Sequence, residues 1–271
     1  MRYDLVVSDF DGTLRRNDDT ISSRTVAAVR AFTEKGGTFA VSTGRGYRSI
    51  AKRLGELGIV DDVPVLSCHG ALMRGAKSGQ TWHEIGMPAE SAAAFLQRAE
   101  SLGLTCQYYT ADNIYAPAPN DVNAFYFERV RTQPVWTHCK ASESVQSVNA
   151  PVLKVLCFIE PSARADMLRA FRSLPHLKTF ASHPRLIEAV SENAGKGNGL
   201  IRACEHLGIA AARSAAVGDE LNDIEMLQAA GLGVAMGNAV AEVKAAADCI
   251  TEDCDADGVA VLLEKIMREQ L

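Results

Sequence analysis

What this chain lacks narrows it first. None of its seven cysteines stands in a C-x-x-C pair, and no Cys/His cluster has zinc-ligand spacing. The odd, scattered set (Cys68, Cys106, Cys139, Cys157, Cys204, Cys249, Cys254) reads as reduced and mostly buried thiols. Positive charge is not in excess. Lys and Arg number 28 against 33 Asp and Glu, a net charge of −5, which speaks against nucleic acid as the partner. No apolar run approaches a membrane span, and the run in "MRYDLVV" is too short for a signal peptide. The expectation is therefore a cytoplasmic protein with no membrane partner. Low-complexity tracts, internal repeats and Pro/Gly-rich linkers are also missing, and nothing points to an obligate protein partner. What remains is ordinary: 271 residues, 47% hydrophobic and 23% charged, enough for one large domain or two smaller ones with separate cores.

The pattern along the chain changes twice. At the start, "DLVVS" (Asp4–Ser8) reads as a buried strand and Ser22–Gly36 as a helix with a Ser cap and a Gly stop. "TFAVSTGR" (Thr38–Arg45) is a second strand running into a turn, followed by a helix over Tyr47–Leu57 and a third short strand over Val63–Ala71. Strands separated by helices of this length imply βαβ units and a parallel sheet. From about Thr81 the order becomes αββαβαββ, a mixed α+β pattern, with a plausible hairpin at "ADN". After Ser191 the βα alternation resumes, with helices over Lys196–Leu207, Asn222–Ala229, Ala239–Ala247 and Val259–Glu269. The predicted fold is α/β. A doubly wound, Rossmann-like parallel-sheet core spans residues 1–80 and 191–271, and an α+β cap is inserted over residues 81–190.

Ligands of open parallel sheets bind at the carboxyl ends of the strands. After the first strand come Asp9, Asp11 and Thr13; after the second come Ser42, Thr43, Gly44 and Arg45. Lys196 opens the helix after the insertion, and Gly218, Asp219, Glu220, Asn222 and Asp223 follow the next strand. Asp9 and Asp11 repel each other at that spacing unless a cation or a reaction compensates. Asp9, Asp219 and Asp223 supply hard oxygen ligands suited to Mg²⁺, which bridges to phosphates. A carboxylate beside such a cation and in line with a phosphorus acts as a nucleophile, giving an aspartyl-phosphate. Asp11 is placed to protonate the leaving oxygen and then to take a proton from water. Thr43, neighbouring backbone N–H groups and Lys196 would neutralise the phosphoryl oxygens.

These residues carry a resemblance. "DFDGT" at 9–13, "STGR" at 42–45, Lys196 and "GDELND" at 218–223 look like the four motifs of the haloacid dehalogenase-like phosphatases, in that family's order. The inserted αββαβαββ segment is similar to the cap of its Cof-type sugar-phosphatase branch. The resemblance implies a Mg²⁺-dependent phosphatase acting on small phosphate esters, sugar phosphates first and nucleotide or cofactor phosphates next. It implies Asp9 as nucleophile, Asp11 as general acid/base, and Thr43 and Lys196 as phosphoryl-binding catalytic residues. Metal would be held by Asp9, the Asp11 carbonyl and Asp219, with Asp223 acting through water. Substrate-binding positions would be Gly12, Gly44, Arg45 and Asn222. A phosphomutase on the same scaffold is the enzymatic alternative; a phosphoacceptor domain without turnover is disfavoured by Asp11 and by the insertion. Two positions depart from the pattern: His69 stands where the branch usually has Asn, and Arg15 and Arg16 follow the first motif. Those arginines read as solvated loop residues, with a substrate-facing anion site as the alternative.

Two other motifs are decoys. "GKGNG" lacks the Ser/Thr and glycine spacing of a nucleotide loop. Asp253–Glu264 matches an EF-hand calcium loop letter for letter, but a short strand precedes it where a helix is needed, and Glu264 falls mid-helix. His83, His138, His176, His183 and His206 show no ligand spacing. Trp82, Trp136, Tyr108, Tyr109 and Tyr115 are expected mostly to pack the insertion's core, with one or two lining the pocket.

Overall fold

The computed structural model describes all residues except Val60, and describes Lys52 through its backbone alone. In chain order the first part comprises β1 (Leu5–Ser8), α1 (Ser23–Glu34), β2 (Thr38–Ser42), α2 (Tyr47–Leu54), β3 (Pro64–Ser67), β4 (Leu72–Gly75) and β5 (Thr81–Glu84). The middle part comprises α3 (Ala89–Ser101), β6 (Cys106–Tyr109), β7 (Ile114–Ala116), α4 (Asp121–Val130), β8 (Val135–Trp136), α5 (Ala141–Ser144), β9 (Lys154–Phe158), α6 (Arg164–Arg172), β10 (Leu177–His183) and β11 (Leu186–Ser191). The last part comprises α7 (Lys196–Leu207), β12 (Ser214–Gly218), α8 (Ile224–Ala229), β13 (Leu232–Ala235), α9 (Ala241–Ala246), β14 (Cys249–Ile250) and α10 (Gly258–Met267).

Local chemistry explains the main elements. All four residues of β1 are buried, as a strand covered on both faces requires. The Ser22 side chain accepts the Thr25 N–H at the start of α1, and Thr25, Ala28, Val29 and Phe32 form its buried stripe. Burying a side chain such as Phe32 or Val29 stabilises the fold by about 1.5–3 kcal/mol. That stripe packs the helix onto the sheet, while α1 also meets α10. At α4, Asn120 and Asn123 form a reciprocal capping box, and Arg131 in the left-handed region closes the helix.

Two sheets result. The larger runs β14-β13-β12-β1-β2-β3-β4-β5, and the smaller runs β10-β11-β9-β6-β7-β8. In the larger sheet β1 lies between β2 and β12, parallel to both, with Leu5 opposite Thr38 on one side and Ser214 on the other. Strand order therefore reverses at β1, and the crevice for a ligand opens beyond the carboxyl ends of β1, β2 and β12. The smaller sheet is antiparallel except where β7 pairs β8, and it forms the cap. Each sheet has its own buried apolar cluster. A third cluster joins Cys68, Ala71 and Leu72 of the core to Tyr109, Leu153, Leu156 and Val190 of the cap.

Several expectations need correction. The third strand stops at Ser67 rather than Ala71, because Cys68, His69 and Gly70 all take positive φ (48°, 55° and 80°), which no strand continues through. After that turn β4 and β5 extend the core sheet antiparallel, so Thr81–Glu84 belongs to the core and not to the insertion. The helix expected over Asn222–Ala229 is divided into a 3₁₀ turn at Leu221–Asp223 and α8. The cap also gains β8 and α5, too short for periodicity to reveal.

Candidate active site

The crevice gathers the four clusters that the sequence spreads along the chain. Asp9 follows β1, and its N–H donates to the Val217 carbonyl at 2.9 Å, tying it to the end of β12. Asp219 follows β12, and Asp223 lies in the 3₁₀ turn behind it. Oxygen atoms of Asp9, Asp219 and Asp223 lie within 4.8 Å of one another. Lys196, the first residue of α7, is buried and donates from one Nζ to Asp9 Oδ1 and, at 2.6 Å, to Asp223 Oδ1. Asp223 Oδ2 accepts the N–H groups of Asp219 and Glu220 at 3.0 Å each, and Thr13 Oγ1 donates to Asp219 Oδ1 at 2.7 Å. Gly12 is required beneath this group. Its φ is +79°, and a Cβ there would lie 2.5 Å from Asp219 Oδ2.

Three carboxylates beside one lysine, which bonds only Asp9 and Asp223, leave an excess of buried negative charge. Burial first, then the competition between Lys196 and Asp223, leaves the Asp9 carboxyl pushed up to about 7. Burial, Asp9 and Asp223 push Asp219 up to about 8, despite the Thr13 hydrogen bond. Lys196 is held above the ordinary lysine range: burial opposes its charge, but Asp223 and Asp9 more than compensate. Buried oxygens that retain protons for want of positive charge are the donor set that a hard divalent cation fits.

Asp11 stands apart from that group. Arg45 grips it with two bonds, Nε to Oδ2 and Nη2 to Oδ1, both 2.7 Å. Arg15 adds Nε and Nη2 contacts to Oδ1 at 3.0 and 2.6 Å. Burial pushes the Asp11 carboxyl up, but Arg45 and then Arg15 overcome it and bring it down to about 2. Arg15 is thus not a solvated loop arginine: it is buried and also pairs with Asp19 at 2.6 Å. Arg16 pairs with Asp257 at 2.7 Å on the outer side. Thr43 is buried after β2, where its N–H donates to the Leu66 carbonyl at 2.8 Å and its Oγ1 accepts the Arg45 N–H at 3.1 Å.

This arrangement can be compared with known proteins. A sequence model of the haloacid dehalogenase-like hydrolases matches residues 6–263. The chain belongs to that family. A 5-amino-6-(5-phospho-D-ribitylamino)uracil phosphatase of Bacillus subtilis is 27% identical over 270 residues, covering 96% of each chain. A haloacid dehalogenase-like hydrolase from Bacteroides thetaiotaomicron superposes with a TM-score of 0.84 at 27% identity, over 97% of this chain and 99% of that one. A sugar phosphatase of subclass IIB of the same superfamily gives a TM-score of 0.83 at 26% identity, over 97% and 98%. The protein is an enzyme, a phosphatase of the haloacid dehalogenase-like family. No helix of the described residues is long and apolar enough to cross a membrane.

In this hydrolase the crevice opens into a cavity of about 760 Å³ between core and cap. Asp9, Asp11 and Arg45 line its floor, with Phe125, Arg129 and Arg185 among its cap-side residues. Of the aromatics read as packing the insertion, Tyr108 and Tyr115 stack on each other at 4.9 Å, whereas Trp82 lies in β5 and stacks on His206 of the core. Phe125, from α4, is instead 67% exposed at the pocket.

One group of residues was not found from the sequence. Asn222 does not reach Asp9; its Nδ2 donates to His69 Nδ1 at 3.2 Å. His69 Nε2 meets Glu188 Oε2 of β11 at 3.2 Å, and Glu188 Oε1 accepts Lys154 Nζ of β9 at 2.7 Å. Lys154 and Glu188 carry a faint signal in sequence, each a lone charge in an apolar run, "VLKVLCF" and "LIEAVS". The calcium-loop match does not form a cage. Asp253 caps Ala256, Asp255 holds Asn17, Asp257 pairs with Arg16, and Glu264 sits within α10 paired to Arg24 at 3.0 Å.

Proposed function

We propose that the enzyme is a Mg²⁺-dependent phosphatase of small phosphorylated metabolites, sugar phosphates first, working through an aspartyl-phosphate on Asp9. The observation that carries this reading is Asp9 itself. It is buried at the floor of the cavity, bonded to Lys196 and within 4.8 Å of two further carboxylates. Asp9, Asp219 and Asp223, with the Asp11 carbonyl, would hold the cation, which supplies neutralisation of the phosphoryl oxygens and of the nucleophile's repulsion.

The residues then divide the work. Asp9 Oδ attacks phosphorus as the ester P–O bond breaks, and Asp11 gives its proton to the departing alkoxide oxygen. Water next attacks the phosphorus, Asp11 takes its proton, the P–Oδ bond breaks, and inorganic phosphate leaves. Lys196 and Thr43 would offset charge on the equatorial oxygens. Asp11 begins ionised in the grip of Arg45 and Arg15, so it must gain its proton before the first step. An incoming phosphate dianion competes for those guanidinium groups, which weakens the pull that keeps the carboxyl acidic. The cap encloses a volume suited to a metabolite and sets what reaches Asp9. Both the ribityl phosphate handled by the Bacillus relative and the sugar phosphates of the subclass IIB enzyme are small esters of this kind.

The test is phosphate release across a panel of sugar, nucleotide and cofactor phosphates, with and without Mg²⁺, for wild type and Asp9→Asn. Turnover is expected to need the metal and to vanish in the variant. Turnover that survives Asp9→Asn removes the nucleophile assignment, and turnover indifferent to Mg²⁺ removes the metal.

A further inference from the structure

The cap reaches into the core's phosphate-binding loop through a buried charged pair. Lys154 Nζ donates to the Gly44 carbonyl at 2.6 Å as well as to Glu188, and it lies 4.3 Å from the centre of the Tyr109 ring. Glu188 in turn holds Ser182 and His69, and His69 holds Asn222. Lys154, Glu188 and His69 are each no more than 2% exposed. Because Asn222 Nδ2 is a donor, His69 Nδ1 accepts and Nε2 carries the proton given to Glu188. The imidazole also lies against the loop: a Cβ on Gly44 would meet His69 Cε1 at 2.4 Å, so only glycine fits there. A chain of contacts therefore runs from Gly44 beside Thr43, through two cap strands, to Asn222 beside Asp223.

We propose that Lys154 and Glu188 are positioning residues, which align the Thr43–Arg45 loop and Asn222 when the cap is seated on the core. Both line the cavity that holds Asp9, but Lys154 Nζ is bonded to Glu188 and to the Gly44 carbonyl rather than to Asp9 or Asp11. Stability alone does not account for them, since a buried ion pair gains little over two well-packed apolar side chains. Lys154 instead spends one of its three N–H groups on the carbonyl of the residue after Thr43. The seating of the cap and the alignment of the phosphate cradle thereby become one event. This inference rests on the phosphatase reading for its kinetic arm only.

The experiment compares wild type, Lys154→Met, Glu188→Gln and the double variant K154M/E188Q. The double variant leaves no unpaired buried charge and so guards against misfolding of the single ones. Turnover of p-nitrophenyl phosphate with Mg²⁺ is measured beside backbone hydrogen exchange over residues 43–49 in the ligand-free chain. In the double variant kcat is expected to fall about 10- to 100-fold with KM changed less than about threefold. Exchange at residues 43–46 should rise by about tenfold or more relative to β1 and β12. A fall in Tm with kcat and loop exchange unchanged makes the pair merely structural and overturns the proposal. A rise in KM at constant kcat makes Lys154 a substrate contact and overturns it equally. If wild type hydrolyses no phosphate ester, the phosphatase reading fails, and the exchange data alone decide whether the loop is positioned from the cap.

Discussion

Metal binding to the carboxylate cluster should expel protons, and the number can be worked from the site. With Asp9 raised to about 7 and Asp219 to about 8, the pair retains on the order of one proton or more at pH 7, and fewer as pH rises. A cation that needs both ionised displaces those protons, so its affinity should rise by on the order of a hundredfold between pH 6 and pH 8. The sign for stability follows from the same shifts. Both carboxyls are raised above their unfolded values, so they favour the metal-free fold at low pH. That contribution is lost as pH climbs from the ordinary carboxylate range through 7 and 8, and Mg²⁺ should restore it. Calorimetric Mg²⁺ titrations in two buffers of different ionisation enthalpy count the protons directly, and Tm with and without Mg²⁺ should diverge as pH rises. Binding at pH 7 with no proton release, or an affinity flat between pH 6 and 8, would refute the assignment of this cluster as the metal site.

Other perturbations bear on single residues. Asp11→Asn should lower kcat for an alkyl phosphate by about 10²–10⁴, and by much less for p-nitrophenyl phosphate, whose phenolate departs without a proton. Steady-state rates on the two esters check this, and equal losses would remove Asp11 from the acid role. Gly12→Ala forces a Cβ to 2.5 Å from Asp219 Oδ2 at a φ of +79°, so Tm should fall by several degrees and Mg²⁺ should bind more weakly. Asp255→Ala should leave any calcium isotherm superimposable on that of wild type, because residues 253–264 are already committed to Asn17, Arg16 and Arg24.

The parts of the site that were legible in sequence obey local rules. Asp9, Asp11, Thr43, Asp219 and Asp223 each come directly after an apolar run or in the turn beyond it, so the end-of-strand rule locates them without knowledge of neighbours. Lys196 was legible because a lysine opening a helix works against the helix dipole and asks for an anion nearby. The hidden parts depend on partners far along the chain. Lys154 and Glu188 show only as charges in apolar strands, and the Gly44 carbonyl and His69 imidazole that satisfy them belong to the other sheet. Arg15 reads as solvated in sequence because nothing there ties it to Asp11, whose carboxyl is given the acid/base role. In the fold Asp11 and Arg15 face each other across a single bridge. The strand β4 escaped because two non-glycine residues, Cys68 and His69, join Gly70 in the left-handed turn before it, and a lone Gly-Ala does not announce so tight a reversal.

The place of β1 between β2 and β12 also governs how this enzyme comes into being. Thr13 and Asp219, bonded across the site, are 206 residues apart. A chain emerging from the ribosome can pair β1 with β2 early, but the other edge of β1 must wait for the last third of the sequence. During that interval Leu5, Val6 and Val7 form an apolar strand with one row of backbone groups open, a template for wrong pairing. Folding is therefore slow by topology, since the central pairing of Leu5 with Ser214 joins strands from distant parts of the chain. The same delay means that a nascent chain that has not yet reached Asp223 lacks half of the carboxylate cluster, and it is inert until that turn has been made.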